Sequence, residues 1–181
     1  MPVNSPTIGI RTIGNVARIF EKIIAGHITG FFRLGTQLLP AIVPPPAAFV
    51  EERLQYDAAA LLQILESEQA PGCDKLIGVT DVDLFIPIFS HVFGEARQNG
   101  RAALVSIFRL AKNNDGSAPA PATVYERAAK VAIHELGHLF NLVHCDDERC
   151  LMHFSGNLEE LDRIGLLFCR YCRIYLQDRT L

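Results

Sequence analysis

His134-Glu135-Leu136-Gly137-His138-Leu139-Phe140-Asn141-Leu142-Val143-His144-Cys145 is the stretch around which the rest of the chain is read. Two histidines at i and i+4 differ by about 40° around a helix, so both imidazoles leave one face and can share one zinc ion. Glu135 is rotated by about 100° from His134, which places it beside such a metal as a base rather than as a ligand. His144 imposes a constraint of its own. On a continuing helix it would lie about 9 Å further along the axis than His138, out of reach of a metal bonded at about 2.0–2.1 Å. The chain must therefore turn between them. Asn141 stands at the turning position, and Asn is the non-glycine residue that best tolerates the left-handed conformation.

The chain has 181 residues, enough for one domain with a sizeable core. Hydrophobic residues make up 49% and charged residues 20%, which excludes wholesale disorder. The formal net charge is −3, without the Lys/Arg excess that phosphate backbones or anionic lipid require, so no nucleic-acid partner is expected. The apolar stretch 29–50 is interrupted by Arg33 and by Pro40, Pro44, Pro45 and Pro46, so no membrane span is expected. The opening MPVNSPTIGIRTIG shows no basic region followed by an apolar run, and a cytoplasmic location is expected.

Four of the five cysteines (Cys145, Cys150, Cys169 and Cys172) fall in the last 37 residues. In a reducing compartment such clustered thiols bind metal more often than they pair, although two disulfides remain the competing reading. Cys169 and Cys172, three apart on a helix, differ by about 60°, so both sulfurs can face one point. Cys145 and Cys150 bracket a short acidic loop and supply the other pair. Four thiolates make a closed tetrahedral zinc site with no open position, which is a structural arrangement.

The spacing His134-Glu135-x-x-His138-x-x-Asn141-x-x-His144, followed by Met152, resembles the metzincin zinc peptidases, which normally carry Gly where Asn141 stands. The cysteines, with Gly78-Val79-Thr80-Asp81-Val82-Asp83-Leu84 and Met152-His153-Phe154-Ser155, make the chain similar to the archaemetzincin family in particular. The resemblance implies a peptidase, with aminopeptidase activity in the wider family, and two zinc ions per chain. The catalytic one falls to His134, His138 and His144, and the structural one to Cys145, Cys150, Cys169 and Cys172. It also implies an α/β (α+β) fold in two lobes: a twisted mixed sheet with two helices above, and a C-terminal part with a helix below.

Around the motif, Thr7–Ile13 reads as a strand and Gly14-Asn15 as the opening of a helix to about Ala25. A second strand is read over Phe31–Leu39. After Pro44-Pro45-Pro46 a long helix is expected over Ala47–Glu68, burying Phe49, Leu54, Leu61, Leu62 and Leu65. Strands follow at Lys75–Asp81, His91–Arg97 and Ala102–Leu110, the last two joined through Asn99-Gly100. Ala111–Ala122 reads as a loop. Thr123 and Glu126 form a capping box for the helix that carries the histidines, and a final helix is expected from Asn157 to about Gln177. One domain is expected over 1–181, with an upper lobe over about 1–141 and a lower lobe over about 142–181.

Met152 is expected beneath the metal. His153 is read as a neighbour of the site rather than a ligand, and Asp81 and Asp83 as anchors. His27 and His91 carry no motif, and Cys73 stands alone in a loop. Three imidazoles leave a zinc position open for water, and Glu135 is expected as general base for peptide hydrolysis. A peptide or protein substrate would lie extended along the edge strand His91–Arg97 of a monomeric enzyme. The alternative is a zinc-stabilised peptide-binding protein of the same fold with little or no turnover, and it leaves Glu135 without a task.

Overall fold

The computed structural model describes residues 7–180, with side chains through 177. Met1–Pro6, on which part of the reading of the opening segment rests, lie outside the described residues. The strand read at the start is present as β1 (Thr7–Ile13), followed by α1 (Arg18–Phe32) and β2 (Gly35–Ile42). Two short strands, β3 (Phe49–Val50) and β4 (Gln55–Asp57), lead into α2 (Ala58–Ser67). Then come β5 (Lys75–Thr80), β6 (Leu84–Ile86), β7 (Phe89–Val92), β8 (Gly94–Ala96) and β9 (Ala102–Ser106). The chain closes with α3 (Pro121–Leu139), α4 (Leu158–Arg163) and α5 (Arg170–Thr180).

The main sheet has the order β2-β1-β5-β9-β8, parallel throughout except for the antiparallel edge strand β8. Its central strands are buried on both faces, which is why they read as almost unbroken apolar runs. Alternation still sorts their side chains. Ile77 and Val79 of β5 join the core made with α1 and α3, while Leu76 joins the core under α2. A smaller sheet, β3-β4-β6-β7, lies next in sequence to the edge of the first, since Phe93 alone separates β7 from β8. The fold is thus the mixed α/β arrangement expected, with the edge segment 89–96 passing the C-terminal half of α3. No helix among the described residues is long and apolar enough to cross a membrane.

Several boundaries differ from the sequence reading, each for a local reason. The long helix expected from Ala47 begins only at Ala58, because Asp57 caps it by accepting from the Ala59 and Ala60 amides. Leu54, at φ 53°, turns the chain before it, and Leu54 and Phe49 are exposed instead of buried. α1 starts at Arg18 and runs on to Phe32, where Arg33 at φ 57° ends it in a left-handed turn. The Thr123–Glu126 capping box does not form. Pro121 occupies the first turn of α3, and Glu126 pairs instead with Lys130 at 2.8 Å. The strand expected over His91–Arg97 is split at Phe93, whose ring is buried. The last helix is two helices, α4 and α5, and Cys169 lies just ahead of α5 rather than within it. Asn157 does cap α4, by accepting from the Glu160 amide.

Candidate active site and metal centres

α3 buries Val124, Ala128, Ala132, Leu136 and Leu139 against the sheet and α1, and this fixes the rotation of the helix. His134 and His138 then project from its other side. The helix ends in a Schellman-type turn, with the Leu142 amide donating to Gly137 O at 2.9 Å and Asn141 at φ 67°. The left-handed residue expected from the sequence is therefore present. It returns the chain so that the His144 ring lies 4.9 Å from that of His138 and 5.3 Å from that of His134, centroid to centroid.

His134 Nδ1 donates to Leu151 O at 2.7 Å, and His138 Nδ1 to Leu142 O at 2.8 Å. A carbonyl can only accept, so both rings carry the proton on Nδ1 and present a bare lone pair at Nε2. Those two Nε2 atoms face each other at 3.1 Å. Two lone pairs at that distance repel unless a cation lies between them. Ligands at about 2.0–2.1 Å on a tetrahedral ion stand about 3.3 Å apart, so the spacing fits zinc. Donor atoms of all three histidines lie within 4.8 Å of one another. Burial pushes the His134 imidazole down to about 3 and lowers those of His138 and His144, which keeps the three rings neutral near pH 7.

Glu135 is buried against the backbone of Gly94 on β8. Burial pushes its carboxyl well above the usual carboxylate range, and the Glu95 carboxylate adds to the shift. Met152 is fully buried beneath the helix, where a Cβ at position 137 would meet its Sδ at 2.5 Å. Glycine at 137 leaves room for the end of this methionine side chain against the helix that carries His134 and His138.

The second cluster draws Cys145, Cys150, Cys169 and Cys172 together, again with all donor atoms within 4.8 Å. All are free thiols, and Cys145 Sγ stands 3.8 Å from Cys169 Sγ, far beyond a disulfide bond. Sulfurs at about 2.3 Å from a tetrahedral zinc are about 3.8 Å apart. Backbone amides point at the sulfurs: Met152 and Cys169 at Cys150 (3.4 and 3.3 Å) and Cys172 at Cys169 (3.5 Å). Without a cation, burial raises the Cys150 thiol to about 11, and burial with the neighbouring thiolates raises Cys172 further. A divalent ion would supply the charge this donor set lacks. The Cys145 amide also donates to Met152 O at 2.9 Å, and His153 Nδ1 donates to Cys145 O at 2.8 Å, so the thiol cluster is tied to the residues beside His144.

A cleft of about 440 Å³ opens over the histidines. One side is the edge segment from Phe89 to Gln98, and Val131, Leu161 and Ile164 contribute an apolar wall. Gly94, Gln98, Phe89 and His91 line the cleft; the sequence placed a substrate along the edge strand that holds His91 and Gly94 but singled out none of the four as a site residue. The unusual glycine in an otherwise apolar strand was the one available clue for Gly94. Phe154 stands beside His144, with ring centroids 5.4 Å apart. Asp83 is an anchor, as expected, paired with Arg109 at 2.6 and 2.7 Å, and Asp81 accepts from the Asn15 amide. Cys73 lies in the α2-side core, apart from both metal centres.

The sequence profile of Peptidase family M54 matches residues 33–178. The archaemetzincin of Methanocaldococcus jannaschii is 36% identical over 172 residues, covering 95% of this chain and 93% of that one. The archaemetzincin of Methanopyrus kandleri is 43% identical over 133 residues, covering 74% and 72%. The crystal structure of the Methanopyrus kandleri archaemetzincin superposes with a TM-score of 0.86 at 32% identity over 99% of this chain and 97% of that one. A zinc-dependent peptidase from Methanocorpusculum labreanum gives a TM-score of 0.83 at 28% identity, over 93% and 99%.

Proposed function

This chain belongs to peptidase family M54, the archaemetzincins, and is a zinc metallopeptidase acting on peptides or proteins; on that premise we propose that Glu135 is the general base of the hydrolysis. His134, His138 and His144 would hold the catalytic zinc, and Cys145, Cys150, Cys169 and Cys172 a second, structural one. The bare Nε2 pair of His134 and His138 carries this assignment, because its spacing fits a cation, and Glu135 lines the same cleft. Zinc bound there supplies a Lewis acid that polarises the scissile carbonyl and makes a water more acidic.

The protein's own groups do the remaining work. Glu135, held against Gly94, accepts a proton from the attacking water at its carboxylate and returns it to the leaving amine. β8 pairs on one side only, with β9, so its outer edge offers free backbone groups to an extended peptide. The apolar wall of Val131, Leu161 and Ile164 takes a nonpolar side chain next to the reacting bond. Both metal sets and the cleft come from one chain, and the functional unit we propose is the monomer, one domain turning from upper to lower lobe at Asn141.

Turnover of a mixed peptide library by zinc-loaded protein tests this reading, with His134→Ala as the control for contaminating peptidase. Cleavage that disappears in that control supports it. Binding of peptides without cleavage would favour a zinc-stabilised binding protein instead.

A further inference from the structure

Lys130 stands on α3 one turn before His134. Four residues are about 6 Å along the helix axis and about 40° around it, so the two share a face. The Lys130 side chain is 3% exposed. Among the described residues it is the one lysine or arginine that lines the cleft over the histidines, beside Val131, Leu161 and Ile164 of the apolar wall. A buried ammonium is costly unless its charge and its three N–H donors are all matched. Here the matching is incomplete. Nζ donates to Glu126 Oε1 at 2.8 Å and to Leu161 O at 3.2 Å, but its third contact, with Asp162 O, is 3.5 Å long. The Glu126 side chain is 57% exposed, so water screens much of the charge it offers. The carboxylates inside the cleft give no help: Glu135 packs against Gly94, about 140° around the helix from Lys130, and Glu95 is on β8.

We propose that Lys130 determines the specificity of this recess, which takes a side chain with a methylene stem and a carboxylate tip, glutamate above all, as the residue next to the reacting bond. The proposal rests on the peptidase reading, which brings a substrate to this wall. Val131, Leu161 and Ile164 hold the stem, and the carboxylate takes the donor that Asp162 O engages only weakly. Such a charge-assisted hydrogen bond is about twice as strong as a neutral one. A leucine would fill the same wall and leave the ammonium as it is. A lysine would bring a second cation against the first.

Three succinyl hydroxamates test the proposal on the zinc-loaded parent protein, carrying an isobutyl, a carboxamidoethyl or a carboxyethyl group as the side chain next to the metal-binding end. The hydroxamate anchors on the zinc and fixes the register, so affinities measured by calorimetry report on the recess. The carboxyethyl probe should bind about tenfold more tightly than the isobutyl one, with the carboxamidoethyl probe between them. Lys130→Met, which keeps an unbranched stem, should make the isobutyl probe the tightest of the three. Glu126→Gln leaves the cleft lining untouched and removes the competing carboxylate, so the preference for carboxyethyl should rise about threefold; this variant decides the matter if Lys130→Met does not fold. The isobutyl probe binding best in the parent, an order that Lys130→Met leaves unchanged, or a preference that Glu126→Gln fails to raise would each overturn the proposal while the zinc site stands. Binding of none of the three would instead sink the zinc-site reading, and the proposal with it.

Discussion

Gly94 on the edge strand and Glu135 on the histidine-bearing helix are in direct contact: a Cβ at position 94 would lie 2.7 Å from Glu135 Cγ and 2.8 Å from its Oε1. The absence of a side chain on β8 is what lets the carboxylate stand between helix and strand. Gly94→Ala should push Glu135 aside, and a displacement of about 1 Å at a reacting group costs about 10²-fold in rate. The same Cβ would also approach Leu104 O at 2.7 Å, so the strand itself could shift. A double-mutant cycle separates the two effects. If Gly94 acts through Glu135, Gly94→Ala should add little to the rate loss of Glu135→Ala; full additivity would show a separate effect on the strand.

The two donor sets predict two zinc ions per chain in gently purified protein, measured by elemental analysis. Chelator should remove one ion ahead of the other, because a three-ligand site with an open position exchanges faster than a closed four-thiolate site. His138→Ala should reduce the count to one and abolish the fast phase. A count of one in the parent protein would contradict the assignment.

Cys172→Ser should do more than loosen α5. Cys145 follows His144 directly, and its carbonyl is held by His153 at 2.8 Å, so losing the thiol site frees the segment that carries a histidine ligand. Structural zinc contributes directly to folding free energy. Thermal unfolding should fall by at least about 5 °C, and zinc at the histidine site should dissociate faster in a competition assay. Unchanged melting and unchanged exchange would mean that the two centres are independent.

Arg127 on α3 grips Asp162 on α4 with two bonds, Nε to Oδ1 at 2.7 Å and Nη2 to Oδ2 at 2.6 Å. The hydrogen bond from Arg127 holds the Asp162 carboxyl below the ordinary carboxylate range. A carboxyl depressed in the native state stabilises fully above its unfolded value near 4, and that contribution is lost as pH falls towards the native value. Asp162→Asn should therefore lower the melting temperature at pH 7 by about 2–4 °C, a figure reduced from that of a buried pair because the Asp162 side chain is 43% exposed. The gap between variant and parent should narrow below pH 4. A gap that persists unchanged at pH 2.5 would assign the effect to packing.

How far this architecture could be read in advance depends on the range of the interactions involved. The grouping of the histidines was legible because helical geometry turns spacing into direction: His134 and His138 share a face, and Asn141 marks the turn that returns His144. β1 and β5 were legible as buried apolar runs. α2 was misjudged because its start depends on Asp57 capping two amides, while Ala47–Leu54 had an equally helical composition. The capping box at Thr123 yielded to Pro121 and to the pairing of Glu126 with Lys130, which fixes Glu126 elsewhere. The edge strand was legible as a place for substrate, but what Gly94, Gln98 and Phe89 meet was not. Their partners are Glu135, Asn141 and Phe154, each more than 40 positions away, and no local pattern encodes such a meeting.

The central claim is that Glu135 moves the proton and the histidines hold the metal. The most direct measurement compares kcat of the parent and Glu135→Ala on one peptide while zinc content is determined on the same samples. The account predicts unchanged zinc and a rate lower by about 10²–10⁴-fold, the usual worth of a general base. Equal cleavage by the two proteins, with activity still abolished in His134→Ala, would contradict it.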